Sequence, residues 1–373
     1  MKTTLIIEGI NNLASILYIM LEKTLQFLRK MDGPILITGH TGFKGTWLSL
    51  LLEKLEIPII GFSLPPDLDS LYFKTDRLGK IVEQFSDINN YSDINSFIKK
   101  EKPSAIIHLA AQSLVSESYS NPKLTFETNV LGTVNLLSAA FDEQSVRAVE
   151  VVTTDKVYFN NNSGKKFKED DSLAGNDPYS ASKVATEAVV SAWRRISEHT
   201  SGPSVFSVRS GNVIGGGDLS VNRLMPDLVK NVFYSSSLEV RNLQSTRPWQ
   251  YVLDPLFGYL LALDKSISNR NIGPYNFGPT EMAIEVSKVI EIFYSKFSLA
   301  PKYKTQKNFY ESELLELDSE KAITELGWKP QINQKDSILL TATWWENTIK
   351  HSKNPTEQCL CEIDEFLEKL NNA

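Results

Sequence analysis

Tyr179 and Lys183, in the segment "YSASK", stand four residues apart. On a helix that spacing puts both side chains on one face. There a lysine ammonium stabilises a phenolate and lowers the tyrosine pKa, so the tyrosine can exchange a proton with a substrate hydroxyl. Upstream, "VVTTDKVY" supplies Thr154, whose hydroxyl can bond the same substrate group, followed directly by Asp155 and Lys156. Moving one hydride and one proton needs only the threonine, the tyrosine and the lysine. An acid and a base placed behind the threonine suit removal of water, in which one proton leaves carbon beside a carbonyl and another goes to the departing hydroxyl. Asp155 and Lys156 would equally make a loop ion pair, and their types alone leave both readings open.

A third group lies near the start of the chain. Gly39, Gly42 and Gly45 follow the apolar run "ILIT" and open a helical run beginning near Thr46. Glycines there allow a tight turn, close approach of backbone to a pyrophosphate, and close helix-to-strand packing, with the anion at the helix N-terminus. The next strand-like run, "IPIIGFSL", ends without the Asp or Glu that would hold an NAD ribose, and Lys44 inside the loop offers a cation for a 2′-phosphate. NAD and NADP both stay open on these residues. His108, at the end of "AIIH", reads as a packed, hydrogen-bonded strand-end residue.

Short apolar runs alternate with amphipathic ones: "PILITG", "TWLSLLLEKLE", "IPIIGFSL", "DINSFIKKE", "SAIIHLAA", "TFETNVLGTVNLLSAAFDE", "AVEVVTT", "SKVATEAVVSAWRRISE" and "SVFSVRSGNVIG". Strands separated by helices imply crossover connections, hence a doubly wound parallel sheet of Rossmann type covered on both faces. After Gly215 the pattern becomes irregular. The expected organisation is an N-terminal helical extension over 1–33, a dinucleotide-binding domain over 34–213, and a smaller substrate-binding domain over 214–373, with 251–278 returning to the main sheet. The apolar segment "LASILYIMLEKTLQFLRK" carries Glu22 and Lys23 in its middle, too short and too charged to span a bilayer, and is expected to dock as an amphipathic helix.

With 373 residues, 42% hydrophobic, 23% charged and a net charge of −6, the chain lacks the basic surplus expected for nucleic acid or anionic lipid. Its two cysteines, Cys359 and Cys361, suit neither a disulfide framework nor a four-ligand zinc site and read as free thiols in a reducing compartment. The four histidines are scattered, so no metal site is expected.

The segments "TGHTGFKGTWLSLLL", "HLAAQSLVSESYSNP", "TTDKVY", "DPYSASK", "SGNVIGGGD" and "TRPWQYVLDPLFGYL" together resemble the CDP-glucose 4,6-dehydratase family, of the extended short-chain dehydrogenase/reductase superfamily, from residue 34 to residue 330. The Asp-Lys pair after the threonine resembles the CDP-sugar enzymes; related TDP-glucose dehydratases usually carry Asp-Glu. The resemblance implies NAD as cofactor and CDP-glucose as substrate, with hydride taken from C4, water lost across C5 and C6, and hydride returned to C6. It assigns catalysis to Thr154, Asp155, Lys156, Tyr179 and Lys183, with Asp155 as the acid for the C6 hydroxyl and Lys156 in an acid/base role. It assigns the cofactor to Gly39, Thr41, Gly42, Phe43, Lys44, Gly45, Ser63, Asp87, Leu109, Ala110, Ala111, Asn129, Tyr179 and Lys183. Substrate contacts fall to Gln112, Ser113, Asn212, Arg223, Arg247 and Trp249, the tryptophan being equally a packing residue. A cytoplasmic homodimer serving deoxysugar synthesis for O-antigen lipopolysaccharide completes what the resemblance implies.

Overall fold

The computed structural model describes residues 25–162, 164–270, 272–305 and 314–372. Seven strands form one sheet: β1 (Ile35–Thr38), β2 (Ile59–Ser63), β3 (Val82–Phe85), β4 (Ala105–His108), β5 (Ala148–Val152), β6 (Ser204–Ser210) and, after two short strands described below, β9 (Tyr275–Phe277). Their spatial order is β9-β6-β5-β4-β1-β2-β3, every neighbouring pair parallel. Residues of β1, β4, β5 and β6 are buried throughout, as strands covered on both faces must be, which is why β1 and β4 read as short runs apolar up to their last residue. The chain order reverses between β1 and β4, so a crevice opens at the carboxyl ends of those two strands.

One face of the sheet packs Ile35, Ile37, Ile107, Phe206 and Val208 against α1 (Phe43–Lys54) and later helices, and the other packs Leu36, Ile60, Ile106, Val149 and Val151 against Phe97, Leu136 and Val190. Helix α1 buries Trp47, Leu48, Leu50, Leu51 and Leu52, more than one stripe, because the helices Leu253–Ser268 and Pro355–Asn372 cover its outer side. Leu25 and Leu28 are buried in the same core, and the amides of Phe27 and Leu28 donate to Asp264 at 2.8 and 2.9 Å. Residues 25–30 therefore dock on the body. The remainder of the expected N-terminal helix lies outside the described residues.

Beyond β6, β7 (Asn212–Ile214) pairs in parallel with β8 (Trp249–Tyr251), and β9 then adds to the edge of the main sheet beside β6. The last part of the chain is helical, over Glu320–Leu326, Gln334–Ile349 and Pro355–Asn372. Lys321 donates to Pro274 O at 2.8 Å and lies over the Tyr275 ring, so this segment braces β9. Cys359 is buried and Cys361 exposed, both free. Among the described residues no helix is long and apolar enough to cross a membrane, and no group of His, Cys, Asp or Glu is arranged to hold a metal.

Candidate active site

The loops leaving the carboxyl ends of β1, β4, β5 and β6 converge on one cleft. After β1, Gly39 turns at φ +74°, and a Cβ there would lie 2.7 Å from Ala110 N. At Gly45 a Cβ would meet Gly39 O at 2.2 Å. Both glycines are required by this chain's own backbone. Gly42 differs: its nearest obstacle is Gly39 O at 3.3 Å, at an ordinary negative φ, and as N-cap of α1 it supplies no side-chain hydrogen bond. The first intrahelical bond is Thr46 N to Gly42 O, so the amides of Phe43, Lys44 and Gly45 precede the helical ladder, at the positive end of the helix dipole.

Thr41 and Ser63 meet through their hydroxyls at 2.7 Å, and Thr41 also donates to Leu64 O at 3.1 Å, tying the loop to the end of β2. Asp87 sits exposed just beyond β3. Leu109 N donates to Thr38 O at 3.0 Å and Ala110 N to Thr38 Oγ1 at 3.3 Å, so residues 109–111 run beside the glycine turn. His108 is buried between Thr38 Oγ1 (2.6 Å) and Thr133 Oγ1 (3.1 Å), and burial, helped by Lys183, pushes its pKa down to about 3. It is the packed neutral imidazole that the sequence leads one to expect.

Lys44 departs from expectation. Its ammonium donates to Ser210 Oγ at 3.0 Å and Tyr259 Oη at 3.3 Å, away from β2, so it does not reach the place of a 2′-phosphate. The phase of α1 decides this: one residue before Gly45, Lys44 faces β6 and helix Leu253–Ser268. Burial, then Arg223 and Lys183, lower its pKa to about 7 against the pull of Asp155.

Asp155–Val157 form a single 3-10 turn after β5, with Thr154 as its N-cap. The Thr154 hydroxyl accepts from Lys156 N at 3.3 Å and donates to Asp155 Oδ1 at 2.9 Å, so its one proton is aimed at the carboxylate and not at a substrate hydroxyl. Burial raises Asp155, opposed by Lys156, Thr154 and Arg247, and its Oδ2 has no partner among the described residues. Lys156 is half-buried.

Asp177 caps the helix Pro178–His199 through Ser180 N at 2.9 Å and Ser180 Oγ at 2.6 Å, with Pro178 in its first turn. That start fixes Tyr179 and Lys183 on the cleft side, both buried. Lys183 donates to Val152 O at 3.2 Å, and burial lowers it to about 8 against Glu187. Tyr179 is pushed up to about 12 by burial, with Thr154 and Arg223 opposing. The lowered tyrosine expected from the Tyr-Lys spacing is thus reversed in the chain alone, because desolvation outweighs the neighbouring dipoles and cations.

The substrate-side expectations divide. Arg223, at the N-cap of helix Leu224–Tyr234, reaches Ser113 Oγ at 3.2 Å and Asp218 at 3.5 Å, joining the irregular region to the loop after β4. Arg247 is buried within electrostatic reach of Asp155, and Asn212 opens β7. Gln112 does not present its amide to the cleft: its side chain is tied to Leu114 N, Leu114 O and Thr125 Oγ1 within its own loop. Trp249 is buried against the core, and its indole N–H has no partner among the described residues. Asn129 is likewise buried and not at the cleft surface; its amide bridges Gln112 N, Gln112 O and Ser182 Oγ. It sits in a π-helical turn, Glu127–Leu131, which aims it inward.

Sequence reasoning missed the support behind the turn. Glu187 accepts from Thr153 Oγ1 (2.6 Å), Ser207 Oγ (2.7 Å), and Arg209 Nε and Nη2 (2.8 and 2.9 Å). Arg209 Nη1 in turn donates to Tyr158 Oη at 2.8 Å, so both ends of the 153–158 segment are held by one buried ion pair. The signal was Glu187 one turn after Lys183 and Arg209 as the one charged residue of the strand "SVFSVRS".

A sequence profile described as GDP-mannose 4,6 dehydratase matches residues 36–339. The chain is 34% identical over 331 residues to the CDP-glucose 4,6-dehydratase of Salmonella typhimurium, covering 85% of this chain and 91% of that one. The crystal structure of a dTDP-glucose 4,6-dehydratase from Streptomyces venezuelae with NAD and TYD bound superposes with a TM-score of 0.75 at 24% identity, covering 87% of this chain and 99% of that one. A Thermus thermophilus UDP-glucose 4-epimerase in complex with NAD gives a TM-score of 0.75 at 22% identity, over 85% of this chain and all of that one. The fold is thus that of the epimerases and dehydratases alike, and by sequence the chain belongs to the GDP-mannose 4,6-dehydratase family of extended short-chain enzymes.

Proposed function

We propose that this chain is a CDP-glucose 4,6-dehydratase, converting CDP-glucose with the help of NAD to CDP-4-dehydro-6-deoxyglucose and water. The observation that carries the reading is the turn Thr154–Asp155–Lys156 set against Tyr179 and Lys183 at the carboxyl end of β5: an acid and a basic side chain beyond what hydride transfer alone requires. The Salmonella typhimurium relative supports the choice of nucleotide.

The glycine loop fits a dinucleotide, since Gly42 is the glycine of the three least constrained by this chain's own packing, with a Cβ 3.3 Å from Gly39 O, and a pyrophosphate against it would explain the choice. Lys44 turned toward Tyr259 supports NAD over NADP. When bound, NAD supplies the acceptor for the C4 hydride and gives it back at C6. Tyr179 takes the O4 proton, and Lys183 beside it offsets the phenolate. The resulting C4 ketone acidifies the C5 hydrogen, which Lys156 removes. Asp155, its carboxyl raised by burial, is the acid that delivers a proton to O6, which leaves as water. Arg223, Arg247, Ser113 and Asn212 hold the nucleotide sugar, the guanidiniums gripping the diphosphate.

The same reading treats 34–213 with 251–278 as the cofactor lobe and most of 214–373 as the substrate lobe. It takes the protein as a homodimer in a reducing cytoplasm, supplying a deoxysugar for O-antigen lipopolysaccharide. Exposed Tyr119, Leu131 and Ile196 on the helices flanking the sheet support a paired surface. The test is incubation with NAD and each of CDP-, dTDP-, UDP- and GDP-linked hexoses, followed by the ultraviolet absorbance of a 4-keto sugar in alkali. Product from CDP-glucose alone is expected. Inversion at C4 without loss of water, or product only from another nucleotide, would overturn the reading.

A further inference from the structure

Asp155 has one oxygen bonded and one not. Oδ1 accepts from Thr154 Oγ1 at 2.9 Å, whereas Oδ2 is buried and has no partner among the described residues. What lies against Oδ2 is the bare backbone of Gly211: a Cβ there would come within 2.8 Å of Oδ2 and 3.5 Å of the carboxyl carbon, with Pro248 Cγ at 3.3 Å. Gly211 therefore differs from Gly39 and Gly45, where a Cβ would run into backbone. Its φ lies outside the left-handed region, so the course of the chain does not call for glycine either. The group that most opposes a larger residue at 211 is the carboxyl of Asp155.

The backbone at this seat is fixed on both sides. Before it, Ser210 ends β6, and its hydroxyl meets Tyr259 Oη at 2.6 Å and accepts from Lys44 Nζ at 3.0 Å. After it, Asn212 pairs with Trp249 across β7 and β8. Thr153 N donates to Val208 O at 2.8 Å, so the segment that leads into Asp155 and the strand that leads to Gly211 are one hydrogen-bonded unit. Gly211 itself is half-buried, where the loops after β5 and β6 meet at the cleft. A carboxyl turns about a single bond, so its two oxygens move together. A methyl group at 211 would displace Oδ2 and in doing so swing Oδ1 away from Thr154. Because the obstacle is the tip of a side chain, the fold itself can accept that methyl group with a small shift at Pro248.

We infer that Gly211 is a positioning residue for the elimination step: its missing side chain is the seat that holds the Asp155 carboxyl at the angle from which it protonates the leaving hydroxyl. The inference rests on the dehydratase reading above and adds to it the position that decides whether a sugar oxidised at C4 goes on to lose water. In that step the C5–H bond breaks with its proton passing to Lys156, the electron pair forms the C5–C6 double bond, the C6–O bond breaks, and O6 takes the Asp155 proton and departs as water. The last event alone needs the seat. Removal of the O4 proton uses Tyr179 and Lys183 and does not depend on it.

Gly211→Ala is compared with wild type on whichever nucleotide hexose the wild type converts to a 4-keto product, and on the same compound with fluorine in place of the C6 hydroxyl. Fluoride, the anion of a far stronger acid than water, leaves with its electron pair and needs no proton. In a single turnover the alanine chain is expected to reduce NAD at the wild-type rate, read by near-ultraviolet absorbance. It should then hold the reduced cofactor, because loss of water slows by about 10²-fold, the scale of a reacting group misplaced by ~1 Å, while loss of fluoride keeps the wild-type rate. Wild-type loss of water by the alanine chain, or equal slowing with both leaving groups, would overturn the inference. A second measurement needs no substrate. With the carboxyl gone the nearest obstacle to a methyl group at 211 is Pro248, so Gly211→Ala should raise the urea unfolding midpoint more in an Asp155→Ala chain than in wild type. Equal shifts in the two backgrounds would show that the carboxyl does not occupy the seat. Absence of 4-keto product from every nucleotide hexose with wild-type protein counts against the dehydratase reading instead, and the two unfolding shifts still decide whether Gly211 seats Asp155.

Discussion

Two buried polar clusters meet at the Thr153–Thr154 peptide, and they differ in how fully their groups are bonded. Behind it, Glu187 and Arg209 satisfy each other twice over and add Thr153, Ser207 and Tyr158, the last passed on to Asn276 at 2.7 Å. Burial alone would raise Glu187, but the guanidinium and the two hydroxyls hold it below the usual carboxylate range. In front, Asp155 Oδ2 has no partner among the described residues, Lys44 is driven down by burial and by Arg223 and Lys183, Lys183 is driven down by burial, and Tyr179 is driven up. The first cluster spends its polar capacity on rigidity; the second leaves it open for a reactant. A reactive turn that is under-bonded can persist because the cluster behind it is not.

The comparison is broken most severely from the front. Asp155→Asn should cut dehydration by roughly 10²- to 10⁴-fold while leaving the unfolding midpoint unchanged or raised, since a desolvated carboxyl is replaced by a neutral amide. Full elimination rate in that variant would remove Asp155 from the acid role. From behind, the pattern inverts: Arg209→Met strands a buried carboxylate at Glu187 and should cost about 3–5 kcal/mol in urea unfolding. A loss under ~1 kcal/mol would show that the pair carries little of the fold.

The smallest expected effect lies far from both clusters and separates burial from catalysis. Tyr251 donates to Glu362, whose carboxyl burial lifts to about 8, and Asp254, accepting from Gln331 and Ile332 amides, is lifted to about 7. Carboxyls raised above their unfolded values bind more protons folded than unfolded, so their contribution is complete below the unfolded pKa near 4 and is lost as pH rises through the folded values. Thermal stability should therefore fall between about pH 5 and pH 8, and Glu362→Gln should make that slope shallower without altering dehydration. An unchanged slope would deny Glu362 its raised pKa.

The sequence made the central strands legible because parallel strands covered on both faces are mostly apolar on both, as in "ILIT" and "AIIH", each apolar up to its last residue. It did not reveal β3: "VEQF" lies at the sheet edge with Val82 and Phe85 exposed, so burial imposes no apolar run there. The reacting side chains were readable from their types, since few other combinations bring a threonine, an acid and a lysine onto one turn before a Tyr-Lys helix. Side-chain direction was not. The side chain of Lys44 turns to Ser210 because its orientation depends on helix phase, and those of Gln112 and Asn129 turn to Leu114 and Ser182, partners set by tertiary packing.

The π-helical turn at Glu127–Leu131 carries one residue more than an ordinary turn without putting the rest of its helix out of phase. Deleting one of its five residues would restore an α-helical turn and leave Thr133 against His108 and Gly132 beside Ile88, where a Cβ would sit 2.6 Å from a methyl group. A residue can thus be lost here, inside a helix, much as from a surface loop, and what goes with it is the inward aim of Asn129 at Gln112 and Ser182.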